Sequence, residues 1–287
     1  MAIDPILTGV VVGKVAKEAG NKLVSESKLV GAELVAAAKD TEIFQGAVDN
    51  YATRIAIRQD ILTKMYKPIA KMFKVSNKYF TDEFEKDMAE KLASVPEENL
   101  TAPKTSIAAP AMQHLGFSLG EPNLKDMYLE LLATASDDRT QDDAHPSFVE
   151  VIKQLNSVEA ELLKTVIEDN IPIPIVTLKI NNSGKTGGRL AQRNVIELLE
   201  ASTGSPAENP RLGAYIDNWV RLGLAEITYT EWLAGAGAYD WVQDRPEYAR
   251  TIALLAPEKD ESIRVDKGMI RATDFGAAFS RAVGLAK

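Results

Sequence analysis

The chain has 287 residues, 45% of them hydrophobic and 26% charged, with no cysteine and a formal net charge of -8. That composition supports one or two ordinary hydrophobic cores and excludes a wholly disordered chain, a thiolate metal site and a catalytic thiol. The acidic balance works against loose adhesion to nucleic acid or anionic lipid. Neither half is a basic domain: residues 1–144 carry 17 Lys and Arg against 22 Asp and Glu, and residues 145–287 carry 16 against 19.

The opening Met1-Ala2-Ile3-Asp4-Pro5 lacks the positive n-region of a signal peptide. The apolar runs Ile6–Val12 and Leu29–Ala38 are broken by Lys14 and Glu33. Both fall short of the ~20 apolar residues of a membrane-spanning helix, so a cytoplasmic protein is expected. Ile3, Leu7, Val10, Val15, Ala19 and Leu23 recur at helical spacing, which predicts one or two amphipathic helices over residues 1–40. Packing on the chain's own domain is the first reading of that segment, and docking on a membrane surface is the second.

A further helical stretch is expected over Gln45–Phe73, kinked or ended at Pro68. Thr81-Asp82-Glu83 reads as the cap of a helix ending before Pro96, and Glu121-Pro122 opens a helix with Leu124, Met127, Tyr128, Leu131 and Leu132 on one face. Pro103 and Pro110 frame a short apolar segment from Ile107 to Leu115. The polar run Ser136–Ala144 then reads as a solvated joint. These signals predict an all-helical N-terminal domain over 1–144 and a second domain over 145–287.

The second domain begins with helices over His145–Leu155 and Ser157–Asp169. Ile171–Ile180 is β-branched and apolar and reads as a strand, followed by a loop, Asn181–Gly188, and a helix, Arg189–Ala201. Arg211–Leu222 is a helix stopped by Gly223, Leu224–Tyr229 is a strand, and Ile263–Thr273 reads as a hairpin turning at Lys267-Gly268. Asp274 caps a last helix bearing Phe275, Phe279 and Val283. The expected fold class is therefore mainly α, an all-α domain followed by a winged-helix-like α+β domain with Arg211–Leu222 in the recognition position.

Chemical motifs are sparse. Asn182–Thr186 ends like a phosphate-binding loop, but the glycine such a loop needs is Lys179 here. Asp137, Asp138, Asp142, Asp143 and His145 hold the donor types of a divalent-cation site, although helix-capping acids in a linker explain them more simply. His114 reads as a packed or surface side chain, and the three tryptophans, Trp219, Trp232 and Trp241, as packing groups rather than base-stacking platforms. No catalytic, metal or cofactor-binding residue is assigned. Lys185, Arg189, Arg193, Arg211 and Arg221 are the candidate contacts to a partner or to nucleic acid, interleaved with Glu197, Glu200, Glu208 and Asp217.

The segments Asn99–Pro103, Asp126–Ala135, His145-Pro146-Ser147-Phe148 through Leu155, and Met269–Phe279 resemble the abortive-infection alpha family. That bacterial family is associated with phage resistance. The resemblance spans roughly residues 45 to 285, and the first 40 residues share only an Ala-rich character. The resemblance, together with the missing catalytic constellation, leads to the expectation of a non-enzymatic phage-defence protein that binds a partner, foremost a protein, through its winged-helix-like half. Two alternatives stay open: a DNA-binding regulator using Arg211–Leu222, and a membrane-acting effector using residues 1–40. No oligomeric state is read from the sequence.

Overall fold

The computed structural model describes residues 61–71, 78–182, 188–200, 202–256 and 260–286. The predicted amphipathic segment 1–40, the first part of the stretch 45–73, and Lys185 in the loop after residue 182 lie outside these residues. The chain divides into two compact units, one formed by Met1–Gly120 with Tyr128–Val149, the other by Glu121–Met127 with Glu150–Lys287.

In the first unit the described elements are a helical run over 61–71, α1 (Lys78–Asp82), α2 (Phe84–Lys91), a 3-10 turn (Glu97–Asn99), α3 (Thr105–Leu115) and most of α4 (Pro122–Ala135). Pro68 and Pro110 lie inside helices rather than ending them. A proline there costs about 3 kcal/mol, and the burial of Leu62 and Tyr66 around one, and of Ile107, Ala111, Met112 and Leu115 around the other, outweighs it. Tyr66 packs edge-on against Phe84 with ring centroids 5.2 Å apart.

The run Ser136–Ala144 is anchored rather than loose, because Ser136 and Asp137 are buried. The Ser136 hydroxyl donates to the Leu132 carbonyl at 2.7 Å and lies 2.6 Å from the Tyr66 hydroxyl. Thr101 N–H donates to the Ser136 carbonyl and Asp138 N–H to the Asn99 carbonyl, each at 2.9 Å, so residues 99–101 clamp the turn. Asp137 accepts from the Arg139 backbone N–H at 3.0 Å and from its guanidinium Nε at 2.8 Å. That hydrogen-bonded Arg139 holds the Asp137 carboxyl below its ordinary value against the opposing effect of burial. Burial pushes the Tyr66 phenol the other way, well above its ordinary range.

The second unit contains α6 (Ser157–Ile167), β1 (Ile173–Asn182), β2 (Gly188–Ile196), α7 (Leu212–Arg221), β3 (Ala225–Thr228), a 3-10 turn (Asp240–Asp244), α8 (Pro246–Ala253), β4 (Glu261–Ala272) and α9 (Asp274–Ala282), with α5 (Ser147–Lys153) leading into it. A full capping box starts α6: Asn156 accepts from Glu159 N–H, and the Glu159 carboxylate reaches back to Asn156 N–H. Gly223 stops α7 with φ +73, and Thr273 caps α9 by accepting from Gly276 N–H.

The four strands form one antiparallel sheet in the order β2-β1-β4-β3. This corrects the expected fold class at two places. The predicted helix Arg189–Ala201 is strand β2, and the predicted hairpin at Lys267-Gly268 is the middle of the single 12-residue strand β4. Among the described residues the expected winged-helix layout is therefore replaced by a four-stranded antiparallel α+β arrangement. An N-terminal all-helical domain over 1–144 is likewise not what is seen. Residues 1–60 lie outside the described part, the first unit includes an isolated antiparallel bridge, Leu100 to Asp137, and Glu121–Met127 belong to the other unit.

Both misreadings have tertiary causes. Residues 189–200 are good helix formers one by one, but propensity differences are at most ~0.7 kcal/mol per residue. Pairing with β1 buries Val195 and Ile196 and places Asn194 in a bulge at φ +54, a conformation no helix contains. At Gly268 the absent side chain serves packing instead of a turn. A Cβ there would lie 2.4 Å from the Thr228 carbonyl oxygen and 2.6 Å from Tyr229 Cδ1, so the glycine lets the Tyr229 ring lie on the strand.

Strand alternation divides the sheet into two faces. Val176, Leu178 and Val195 pack against Tyr239 and Val242 from the insertion between β3 and β4. On the opposite face Ile175 pairs with Ile196 and Ile173 with Ile270, while α6, α7 and α9 contact the sheet. Buried Arg245 ties the insertion down. It is salt-bridged to buried Glu247 at 3.0 Å and donates to the carbonyls of Leu198 at 2.7 Å and Ala207 at 2.6 Å, so the buried charge is fully paired.

Candidate functional site

Beyond the isoleucines, the helix-side face of the sheet turns polar. Thr177 on β1 donates to the Tyr229 hydroxyl at 2.9 Å, and that hydroxyl donates to Asn194 Oδ1 at 3.2 Å. Asn194 Nδ2 donates to Asp217 on α7 at 3.2 Å, and Arg193 closes the chain on the same carboxylate at 3.1 Å. The result is a continuous relay from mid-sheet to the surface. Burial raises the Tyr229 phenol above its ordinary value, only partly offset by the hydrogen bond from Thr177, so the group stays neutral at physiological pH.

Next to Tyr229 the sheet bears Asp266, paired with Lys179 across the strands at 2.6 Å and with Arg264 at 2.6 Å. Burial would raise the Asp266 carboxyl, but the two cations outweigh it and hold it below its ordinary value. An open groove of about 380 Å³ runs here, lined by Tyr229, Trp232, Arg264, Val265, Asp266 and Lys267. Trp232 is 60% exposed, whereas Trp219 is fully buried in α7. Trp241 packs at the edge of the insertion core. The expectation that all three tryptophans are packing groups is thus corrected for Trp232. Two cations on β4 and two aromatic rings from the segment after β3 form a surface suited to contact, with Lys267 additionally held 5.0 Å from the Tyr239 ring centroid.

The five candidate cations are dispersed. Arg189 donates to the Leu254 carbonyl at 2.7 Å and to Glu261 at 3.2 Å, Arg193 is held by Asp217, and Arg221 donates to Asn218 Oδ1 at 2.6 Å and Gln154 Oε1 at 3.0 Å. Arg211 is exposed at the start of α7, where its backbone N–H bonds Asn209 Oδ1 at 2.9 Å. Lys185 lies outside the described residues. Tyr229, Trp232, Arg264 and Asp266 were not singled out as contacts from the sequence. The signals that could have found them are Gly268 inside a β-branched run and the Arg264-Val265-Asp266 alternation, which sets opposite charges on one strand face.

The His145–Phe148 segment starts a helix. His145 Nδ1 lies 2.6 Å from Ser147 Oγ and accepts the Ser147 N–H at 3.2 Å, and its ring meets buried Phe148 edge-on at 5.8 Å. Among the described residues no group of three or more His, Asp or Glu side chains is placed to hold a metal ion. No helix among them is long and apolar enough to cross a membrane.

Fold and site together define an α+β protein whose C-terminal sheet presents an aromatic-lined groove. The abortive infection alpha family matches residues 76–283, well over half of the chain and all of the groove, and the protein belongs to that family. The family membership points to a role in abortive infection. No curated protein and no solved structure matches the chain.

Proposed function

We propose that this protein acts in abortive infection as a non-enzymatic contact protein in the cytoplasm, engaging a protein partner through its C-terminal unit. The observation that supports this reading is the exposed Trp232 beside Tyr229, Arg264 and Lys267 on a sheet scaffold. Exposed aromatics flanked by Arg are the side chains that dominate protein contacts.

The test is phage plating efficiency on cells expressing the wild type, Trp232→Ala or a deletion of residues 1–40, with protein levels matched by immunoblot. Trp232→Ala is expected to lose protection while accumulating normally. Equal protection by wild type and Trp232→Ala would remove the groove from the function. Protection lost only in the deletion would move the activity to the N-terminal segment. A wild type that changes the plating of no phage in a broad panel would reject the defence role itself.

A further inference from the structure

Strand β3 is four residues long, and it pairs with only the last part of the 12-residue β4, from Met269 to Ala272. The other side of β4 is fully laddered to β1 from Glu261 to Ile270. From Ser262 to Lys267 the outer edge of β4 therefore has no strand beside it, and among the described residues no backbone group bonds to it. Thr273 N–H donates to the Leu224 carbonyl at 3.1 Å just beyond the β3–β4 ladder, which fixes the alternation. Odd-numbered β4 residues turn their N–H and C=O toward the β3 side, so Ile263, Val265 and Lys267 present unpaired backbone groups along this edge, the last two in the groove beside Trp232 and Tyr229. An open edge of this kind is a template for another strand.

Resting on the reading of this groove as a protein-contact surface, we infer that the partner along its edge is a second copy of this chain, β4 pairing antiparallel with β4 of its twin about a two-fold axis through Val265. Register and charge select this occupant. Two-fold antiparallel pairing must match odd residues to odd residues, so that the outward backbone groups meet each other. Three central registers satisfy that condition near the groove. Centring on Arg264 opposes two arginines, and centring on Asp266 opposes two aspartates. Centring on Val265 opposes Arg264 to Asp266 twice, once on each side of the axis.

In that register Val265 meets Val265 and Ile263 meets Lys267 as hydrogen-bonded pairs. Arg264 and Asp266 form the non-hydrogen-bonded pairs, whose Cα atoms approach to ~4.5 Å and whose side chains lie closest. Asp266 accepts from Lys179 and Arg264 of its own chain through different oxygens, and each oxygen retains a lone pair for the twin's guanidinium. Gly268 ends the pairing, since β3 takes over the edge from Met269 onward. The two four-stranded sheets then become one continuous eight-stranded sheet with an isologous seam.

Sedimentation velocity of the purified full chain from roughly 1 to 200 µM is the direct measurement. The wild type is expected to shift from monomer to dimer across that range. Arg264→Asp, a change at a 60% exposed side chain, places like charges opposite each other and is expected to weaken association about tenfold or more. The double swap Arg264→Asp with Asp266→Arg restores opposite pairs and is expected to recover association. Hydrogen exchange reads the seam itself, and the Val265 amide is expected to slow as protein concentration rises. A wild type that stays monomeric at the top concentration overturns the inference. So does a dimer indifferent to Arg264→Asp, or one that leaves the Val265 amide unprotected. A monomer whose Val265 amide is protected only by an added (Glu-Val)4 peptide, or by a dT12 oligonucleotide, would assign the edge to a different occupant and equally refute self-pairing.

Discussion

Replacing Gly268 by alanine adds one methyl group to the middle of β4, and the structure places it in occupied space. The new Cβ would lie 2.4 Å from the Thr228 carbonyl oxygen, a backbone atom fixed by the β3–β4 ladder, and 2.6 and 3.0 Å from the Tyr229 ring. Neither neighbour can yield freely. Displacing the ring breaks the hydroxyl's bonds to Thr177 and Asn194, and displacing Thr228 opens the end of β3. Overpacking of this kind costs about 1–3 kcal/mol, and each lost hydrogen bond about 1 kcal/mol. Against this, the loss of glycine entropy in the unfolded chain returns about 0.4–1 kcal/mol. The net expectation is a destabilisation of about 2 kcal/mol, or a midpoint lowered by roughly 4–8 °C for a unit of this size. Thermal and urea melts followed by tryptophan emission measure it. Combining Gly268→Ala with Tyr229→Ala should recover part of the loss, because one of the two obstacles is then gone. A Gly268→Ala protein as stable as the wild type would show that Tyr229 does not lie on the strand, and the polar relay built on it would fall with it.

Arg245→Ala leaves the Glu247 carboxylate buried without its partner and strips the Leu198 and Ala207 carbonyls of a donor. A loss of about 3–5 kcal/mol is expected in urea melts, and a loss under 1 kcal/mol would contradict the paired geometry. Burial raises the Glu159 carboxyl above its ordinary 4.5 despite the hydrogen bond from Asn218. The folded protein therefore binds the proton more tightly than the unfolded chain, and this contribution to stability is present below the ordinary value and lost as pH rises through the raised one. Glu159→Gln should flatten that decline in urea midpoints measured upward from pH 4, and an unchanged slope would refute the assignment. Asp137 runs in the opposite sense. Arg139 depresses its carboxyl, so its contribution is present above the ordinary 3.8 and lost as pH falls through the depressed value. Asp137→Asn should cost about 1–3 kcal/mol at neutral pH and less in acid, and an equal cost at both would show that the charge is not what Arg139 recognises.

Local signals made several elements legible. Glu121-Pro122 and Gly223 act on their own backbone, and the helix ends they mark are where the structure has them, whereas the last helix is capped by Thr273, one residue before the expected Asp274. The helix over Arg211–Leu222 was legible from the Gly223 that stops it, and its buried face is Leu212, Tyr215, Ile216 and Trp219. The candidate cations were visible as residue types, but their acceptors are far off in the chain: Leu254 for Arg189, Asp217 for Arg193 and Gln154 for Arg221. Charge pairing across such separations has no spacing to read.

The sequence by itself determined several helix ends and the family, since each rests on residues a few positions apart or on a pattern distributed along the chain. Tertiary structure alone decided the sheet. Residues 188–196 became strand because β1 offered a partner that buried Val195 and Ile196, a gain larger than their helical preference. Gly268 became the seat of Tyr229 because β3 ends opposite it, although the same residue beside Lys267 reads locally as a turn. The groove follows from a difference in length between β3 and β4, and the length of a pairing is a property of two strands that neither one carries alone.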